Sequence, residues 1–222
     1  SKSHFFSNTN LDFQNNFFEN SNLEINIEQV SHDTYLKKFK PPSELINNEN
    51  LMNNFLQLDA YNEDTSLSIV LESYENLSKP SSDRYEYIYP DLDFAKEFKS
   101  KNMPGYFSLS SSFYQKHFDT NKYTKSLITD LLYNADTKFS DIGFVKDFQI
   151  LFKNPNTVNK TGSNNESNDE TKLLTKLMYS LSYPLKKEGL LYDKLLKPKL
   201  SLRFSPNLSL IHISEPTRHT RI

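Results

Sequence analysis

A chain of 222 residues with 36% hydrophobic residues, a net charge of -2 and no cysteine has room for one large domain or two small ones, and no disulfide framework or thiol chemistry. Its charge gives no electrostatic basis for binding nucleic acid, and no apolar run reaches the roughly 18 residues of a membrane helix. A mean hydropathy of -0.67 beside 17 Phe and 13 Tyr fits either a membrane β-barrel, in which only every second residue meets lipid, or an Asn-rich soluble β-protein.

Alternation of apolar and polar residues predicts strands along most of the chain. Ser7 to Phe13 alternates weakly and Asn15 to Ser21 is a polar break. Leu23, Ile25 and Ile27 alternate with acids and Asn, while Ser31 to Asn54, with Pro41-Pro42 inside, reads as a long loop. Leu56, Leu58 and Ala60 lead to a tight turn at Asn62-Glu63-Asp64, and Leu67, Ile69 and Leu71 return. A loop around Pro80 precedes Tyr85, Tyr87 and Tyr89, a run that continues through Leu92 and Phe94 and breaks over Lys96 to Gly105. Phe107, Leu109, Ser111 and Phe113 form the next strand. Lys122 to Tyr133 has a mixed period that a helix would also give; its neighbours favour a strand. Phe144 to Phe152 is a strand, and Asn154 to Glu170 is a polar, low-complexity loop.

The last predicted hairpin, Thr171 to Pro206, is the clearest. Leu173, Thr175, Leu177, Tyr179, Leu181, Tyr183 and Leu185 share one parity, with Lys172, Lys176, Ser180 and Ser182 on the other and Leu174 and Met178 as exceptions. After a turn at Lys186-Lys187-Glu188-Gly189, Leu196, Pro198, Leu200, Leu202 and Phe204 oppose Lys197, Lys199, Ser201 and Arg203. Each run has about the length of a tilted transmembrane strand. The expected fold is therefore all-β, an antiparallel up-and-down meander of about ten strands. Its two longest connections, after the second and eighth strands, emerge on one side, and the turns at Asn62 and Lys186 on the other. In a membrane barrel, Leu173, Leu177, Tyr179, Leu181, Leu200, Leu202 and Phe204 would face lipid; Lys172, Lys176, Lys197, Lys199 and Arg203 would face the lumen. In a soluble β-sandwich or adhesin-like binding protein, the same apolar parity would pack on a second sheet.

Little in the chain invites catalysis. His4, His32 and His117 lack metal-ligand spacing, Glu166 and Asp169-Glu170 lie in a polar stretch, and neither a Gly-rich phosphate loop nor a nucleophile elbow occurs. No enzyme, cofactor or metal is expected. Leu208-Ser209-Leu210-Ile211-His212-Ile213-Ser214-Glu215-Pro216-Thr217-Arg218 reads as the in-frame translation of a transposon-end sequencing adapter. Residues 208–222, with His212 and His219, are accordingly expected to be foreign to the gene. Ser1 opens without a signal peptide, as in a chain read from inside a longer gene.

Several short segments, in order, resemble the β-barrel region of the LptD (OstA) family of lipopolysaccharide-assembly outer-membrane proteins, in its alphaproteobacterial form. Asp33-Thr34-Tyr35-Leu36-Lys37-Lys38-Phe39 is similar to the family's Asp-Thr-Tyr-Leu-Arg-Arg-Tyr. Asp83-Arg84 before the strand ending Tyr89-Pro90, and Ser182-Tyr183-Pro184-Leu185, resemble an Asp-Arg pair and an Arg-Tyr-Pro-Leu. Leu195-Leu196-Lys197-Pro198 and Ser205-Pro206-Asn207 resemble the Leu-Glu-Pro and Ala-Pro-Asn that follow, with Lys197 where the family has Glu. The resemblance covers nearly all of residues 1–207 and implies a partial transmembrane barrel domain in the outer membrane of a Gram-negative bacterium. It implies, further, a non-enzymatic translocon that inserts lipopolysaccharide into the outer leaflet. Its partners would be an LptE-like plug lipoprotein in the lumen and an LptA-like periplasmic bridge, reached through an N-terminal domain that would precede residue 1. This piece would supply barrel wall and loops only, with the family's lateral gate, between its first and last strands, lying outside it.

Overall fold

The computed structural model describes residues 3–42, 44–46, 48–80, 83–118, 122–160, 168–188 and 194–206. The adapter-like tail and Gly189 of the predicted turn lie outside them. Ten strands form one antiparallel meander, each beside its predecessor. They are β1 (His4–Phe13), β2 (Asn20–Val30), β3 (Leu51–Tyr61), β4 (Thr65–Asn76), β5 (Tyr85–Phe98), β6 (Gly105–Phe118), β7 (Lys122–Ala135), β9 (Val145–Lys160), β11 (Leu174–Ser182) and β14 (Lys199–Phe204). Two short strands, β8 (Lys138–Phe139) and β10 (Asn168–Thr171), pair with β9; β12 (Leu185–Lys187) and β13 (Lys194–Leu196) form a separate ribbon. The sheet does not close, and β1 and β14 are its edges. Every substantial contact between elements runs between ladder neighbours, so among the described residues no second sheet covers either face.

Several segments depart from the sequence expectation. The stretch read as a loop from Ser31 to Asn54 contains a helix, α1 (Tyr35–Phe39), and the start of β3 at Leu51. Leu36 of α1 packs with Met52 and Leu77 into a small buried cluster at the end of the sheet, against Phe6 and Val30. The polar stretch after Asn154 continues β9 to Lys160, paired with β7 as far as Tyr123. Asn side chains are poor strand formers, but here they satisfy one another and the backbone: Asn156 donates to Asn154 Oδ1 at 2.6 Å, and Asn154 to the Lys172 carbonyl at 2.9 Å. Lys172 and Leu173 fall outside strands because the β9 ladder is interrupted opposite Pro155, between Thr171↔Asn156 and Leu174↔Lys153. Lys197 likewise sits in a joint. Pro184 and Pro198 part the β11–β14 ladder from the ribbon, so Lys186 and Lys187 belong to β12 and not to a tight turn. The connection from β11 to β14 is correspondingly long, and both ends of the sheet carry a long one: residues 31–50 at one end, 183–198 at the other.

The tyrosine run keeps to one face by means of a bulge. Tyr85 and Tyr87 have the opposite parity to Leu92 and Phe94, and the register shifts between Ile88 and Asp91 bring both sets to the same side. Pro90 lies within that shift, where a missing N–H does not break the ladder.

At the end holding residues 31–50, Arg84 binds two carboxylates. Its Nη2 donates to Asp33 Oδ1 at 2.6 Å and its Nε to Glu75 Oε1 at 2.7 Å, while the Tyr85 hydroxyl also donates to Glu75. The hydrogen bond from Arg84 holds the Asp33 carboxyl below its ordinary range. A depressed folded-state value makes the pair's contribution present above the unfolded carboxylate range and lost as pH falls through the lowered Asp33 value. An NMR titration should show Asp33 titrating below an ordinary Asp. Arg84→Gln should move it up toward the usual value; an unchanged titration would mean that the pair is not formed.

Candidate membrane face and lumen

The ladders place one unbroken line of apolar partners across seven strands. Leu11 pairs with Leu23, Leu23 with Leu58, Leu58 with Ile69, Ile69 with Leu92, Leu92 with Phe113, and Phe113 with Leu127. Directly opposed residues of antiparallel strands share a face, so this line is one side of the sheet. On β9 the partner of Leu127 is Asn156, and the apolar face resumes at Phe152 opposite Leu131, from which Ile150, Leu177 and Phe204 carry it to the edge. Leu56, Leu71, Leu127, Phe152, Tyr179, Leu200, Leu202 and Phe204 on this face are exposed.

Aromatic residues bound this band at both ends. Toward residues 31–50 stand Tyr85, Tyr87 and Tyr89, stacked in sequence with centroids 6.1 and 5.6 Å apart, then His117 against Tyr123 at 5.9 Å. Toward the opposite end stand Phe98 on Phe107 at 5.3 Å and Phe107 on Tyr133 at 4.8 Å, with Phe148 paired to Tyr179 on β9 and β11. On β6 the two belts are Phe107 and His117, a path of about 33 Å at ~3.3 Å per residue. With strands tilted by ~40° that path rises about 25 Å, the height of the apolar band of an outer-membrane barrel.

One residue along, the register gives a polar line on the other face. Asp12 pairs with Asn22, Asn22 with Asp59, Asp59 with Ser68, Ser68 with Asp93, and Asp93 with Ser112. Asn22 donates to Asp12 at 2.7 Å and Ser68 to Asp59 at 2.6 Å across neighbouring strands, while Gln57 donates to Asp59 at 2.6 Å along β3. The sheet is concave on this side. A groove of about 420 Å³ crosses β3 to β7, floored by Ser66, Ser68, Ala95, Ser110 and Ser112 and edged by Asp59, Asp93 and Asp130. Lys153 donates to Asp130 Oδ2 at 2.9 Å. Charge on this face is graded: β3 to β5 supply Asp59, Glu72, Asp91 and Asp93, whereas β11 and β14 supply Lys176, Lys199 and Arg203.

Sequence parity thus grouped Leu177, Tyr179 and Leu181 with Phe204, Leu202 and Leu200, and the ladder pairs them in that order. Lys176, Lys199 and Arg203 lie on the opposite side of the same strands. Leu173, Lys172 and Lys197 sit in the joints between strands. The larger part of both surfaces, from β1 to β9, was missed as a site; the signal was present in the alternation but needed the register to join one strand to the next. The chain matches no protein-family model and no curated protein.

Proposed function

We propose that this chain forms part of the wall and loops of an outer-membrane β-barrel that delivers lipopolysaccharide to the outer leaflet, as its resemblance to the LptD family implies. The observation that carries the membrane half of this reading is the apolar line from Leu11 to Leu127, uncovered by any second sheet among the described residues and bounded by two aromatic belts. Backbone groups within each ladder are satisfied by neighbouring strands, as a lipid-exposed sheet requires. In this reading Leu177, Tyr179, Leu181, Leu200, Leu202 and Phe204, with Leu173 at the joint, meet lipid. The concave face, with Lys176, Lys199 and Arg203 on its cationic side, lines the lumen, and Lys172 and Lys197 stand at the joints beside it.

The lipopolysaccharide half rests on the ordered sequence resemblance and on this polar lumen, which suits a plug lipoprotein and the saccharide of an anionic glycolipid. The wall performs no bond chemistry; it excludes lipid from a polar interior. Refolded into phospholipid vesicles, the chain should insert as β-structure and retain added purified lipopolysaccharide on flotation. Insertion without retention would overturn the cargo. A chain that stays in the aqueous fraction would overturn the membrane reading as well.

A further inference from the structure

At the end of the sheet that holds residues 183–198, the apolar side finishes on a pair of lysines. Lys138 on β8 stands directly opposite Lys146 on β9, Lys146 opposite Leu181 on β11, and Leu181 opposite Leu200 on β14. Directly opposed residues share a face, so the lysines cap the side that carries Leu181 and Leu200. Both are exposed, and among the described residues neither is joined to a carboxylate. Two like charges set opposite each other, with Cβ atoms about 5 Å apart, repel. Acids of the same hairpin do not bridge them. Asp147 lies on the concave side, opposite Ser180, and accepts the Thr137 hydroxyl at 2.8 Å; Asp136 and Asp141 lie in the connections either side of β8. A second lysine pair, Lys187 opposite Lys194, stands on the β12–β13 ribbon beside Leu185 opposite Leu196. Phe144 on Tyr183, with centroids 4.8 Å apart, ties the β8–β9 hairpin to the joint before that ribbon.

We propose that Lys138 and Lys146 form a binding site for the phosphate of an anionic phospholipid, whose acyl chains lie along Leu181, Tyr179, Leu200 and Leu202. One phosphate between the two ammonium groups replaces their repulsion with two charge-assisted hydrogen bonds. The height is right for a lipid headgroup. Lys146 is two residues beyond Phe148, a ring of the aromatic belt at this end, and so about 7 Å further along the strand. Belt rings mark the membrane–water boundary, and lysine stems reach past it to the phosphates. A free phosphate would use the lysines alone, whereas a lipid also covers the exposed Tyr179, Leu200 and Leu202. A zwitterionic headgroup would bring its own cation into a corner that already holds Lys187 and Lys194, so the anionic lipid is the better fit. At the other end of β9, Lys160 faces Tyr123 and not a lysine. The site rests on the membrane reading above, because only a bilayer supplies its ligand at that height.

The chain has no tryptophan, so one introduced indole reports the lipids beside it. The full chain carrying Leu181→Trp is refolded into phosphatidylcholine vesicles that contain either brominated phosphatidylglycerol or brominated phosphatidylcholine as quencher. Phosphatidylglycerol should quench the indole preferentially. Adding Lys146→Gln should lower that preference about fivefold, the scale of one lysine at an anionic surface, and Lys138→Gln with Lys146→Gln should abolish it. Lys146→Arg keeps the charge and should keep the preference, and Lys160→Gln should leave it unchanged. A Leu127→Trp indole, in the middle of the band, should be quenched alike by both lipids. Equal quenching by the two lipids at Leu181→Trp, or a loss with Lys160→Gln as large as with Lys146→Gln, overturns the site and leaves the membrane reading in place. Quenching by neither lipid at either indole removes the membrane reading and the site with it. Inorganic phosphate added at constant ionic strength should not erase the preference; if it does, the lysines hold a free anion and the lipid assignment is overturned.

Discussion

Purified without detergent, the chain is expected to sediment as aggregate; in micelles it should be monodisperse and rich in β-structure. Among the described residues only Leu36 and Met52 are large side chains buried to the full, and they lie at one end of the sheet. Among the described residues no layer lies on the rest of the apolar face, and Leu200, Leu202 and Phe204 on the β14 edge are 62–63% exposed. An open edge beside an apolar face is a template for pairing with another copy. Detergent covers the face and removes the drive to stack. Analytical ultracentrifugation with and without micelles makes the comparison. A monodisperse monomer in plain buffer would show that some layer covers the apolar face in solution, and the soluble binding-protein class would then be the better reading.

The strands were legible because a period of two survives in each of them. Leu23-Ile25-Ile27 and Leu67-Ile69-Leu71 alternate within themselves, and the meander follows from short connections between neighbours. The mixed period of Lys122 to Tyr133 resolved as strand because both of its faces are used: Leu127 and Leu131 lie on the apolar side, and Ile128 edges the groove opposite. Two kinds of feature were hidden. One is set by a partner strand, such as the continuation of β9 through Asn154, Asn156 and Asn159, which β7 holds in place against weak local preference. The other is a single residue that breaks a ladder, as Pro155, Pro184 and Pro198 do beside residues whose parity alone reads as unbroken strand. The apolar line itself was half legible. Each strand declared which of its residues share a face, but only the register showed Leu58 meeting Ile69, and Ile69 meeting Leu92. The bulge before Asp91 reverses the parity of β5, so simple counting would have sent the tyrosine belt and Leu92 to opposite sides.

Leu127→Arg should separate a lipid face from a merely exposed one. Leu127 stands on β7 between Tyr123 and Tyr133, one from each aromatic belt, and so near the middle of the apolar band. An arginine at the bilayer midplane of a β-barrel costs about 2–4 kcal/mol, because the guanidinium must be drawn toward the headgroups or hydrated within hydrocarbon. The same change at a water-exposed site usually stays within about 0.5 kcal/mol. Ser126, the preceding residue, lies on the concave side of the same strand, opposite Tyr114 and Thr157. Ser126→Arg should therefore be tolerated in vesicles at a cost under about 1 kcal/mol, since its side chain stays in water. Denaturant unfolding from phospholipid vesicles measures both variants on one strand with one backbone environment. A large loss for Leu127→Arg with a small one for Ser126→Arg puts this side of the sheet in lipid. The reverse order would put the serine side there, and equal small losses would mean that neither side enters the membrane.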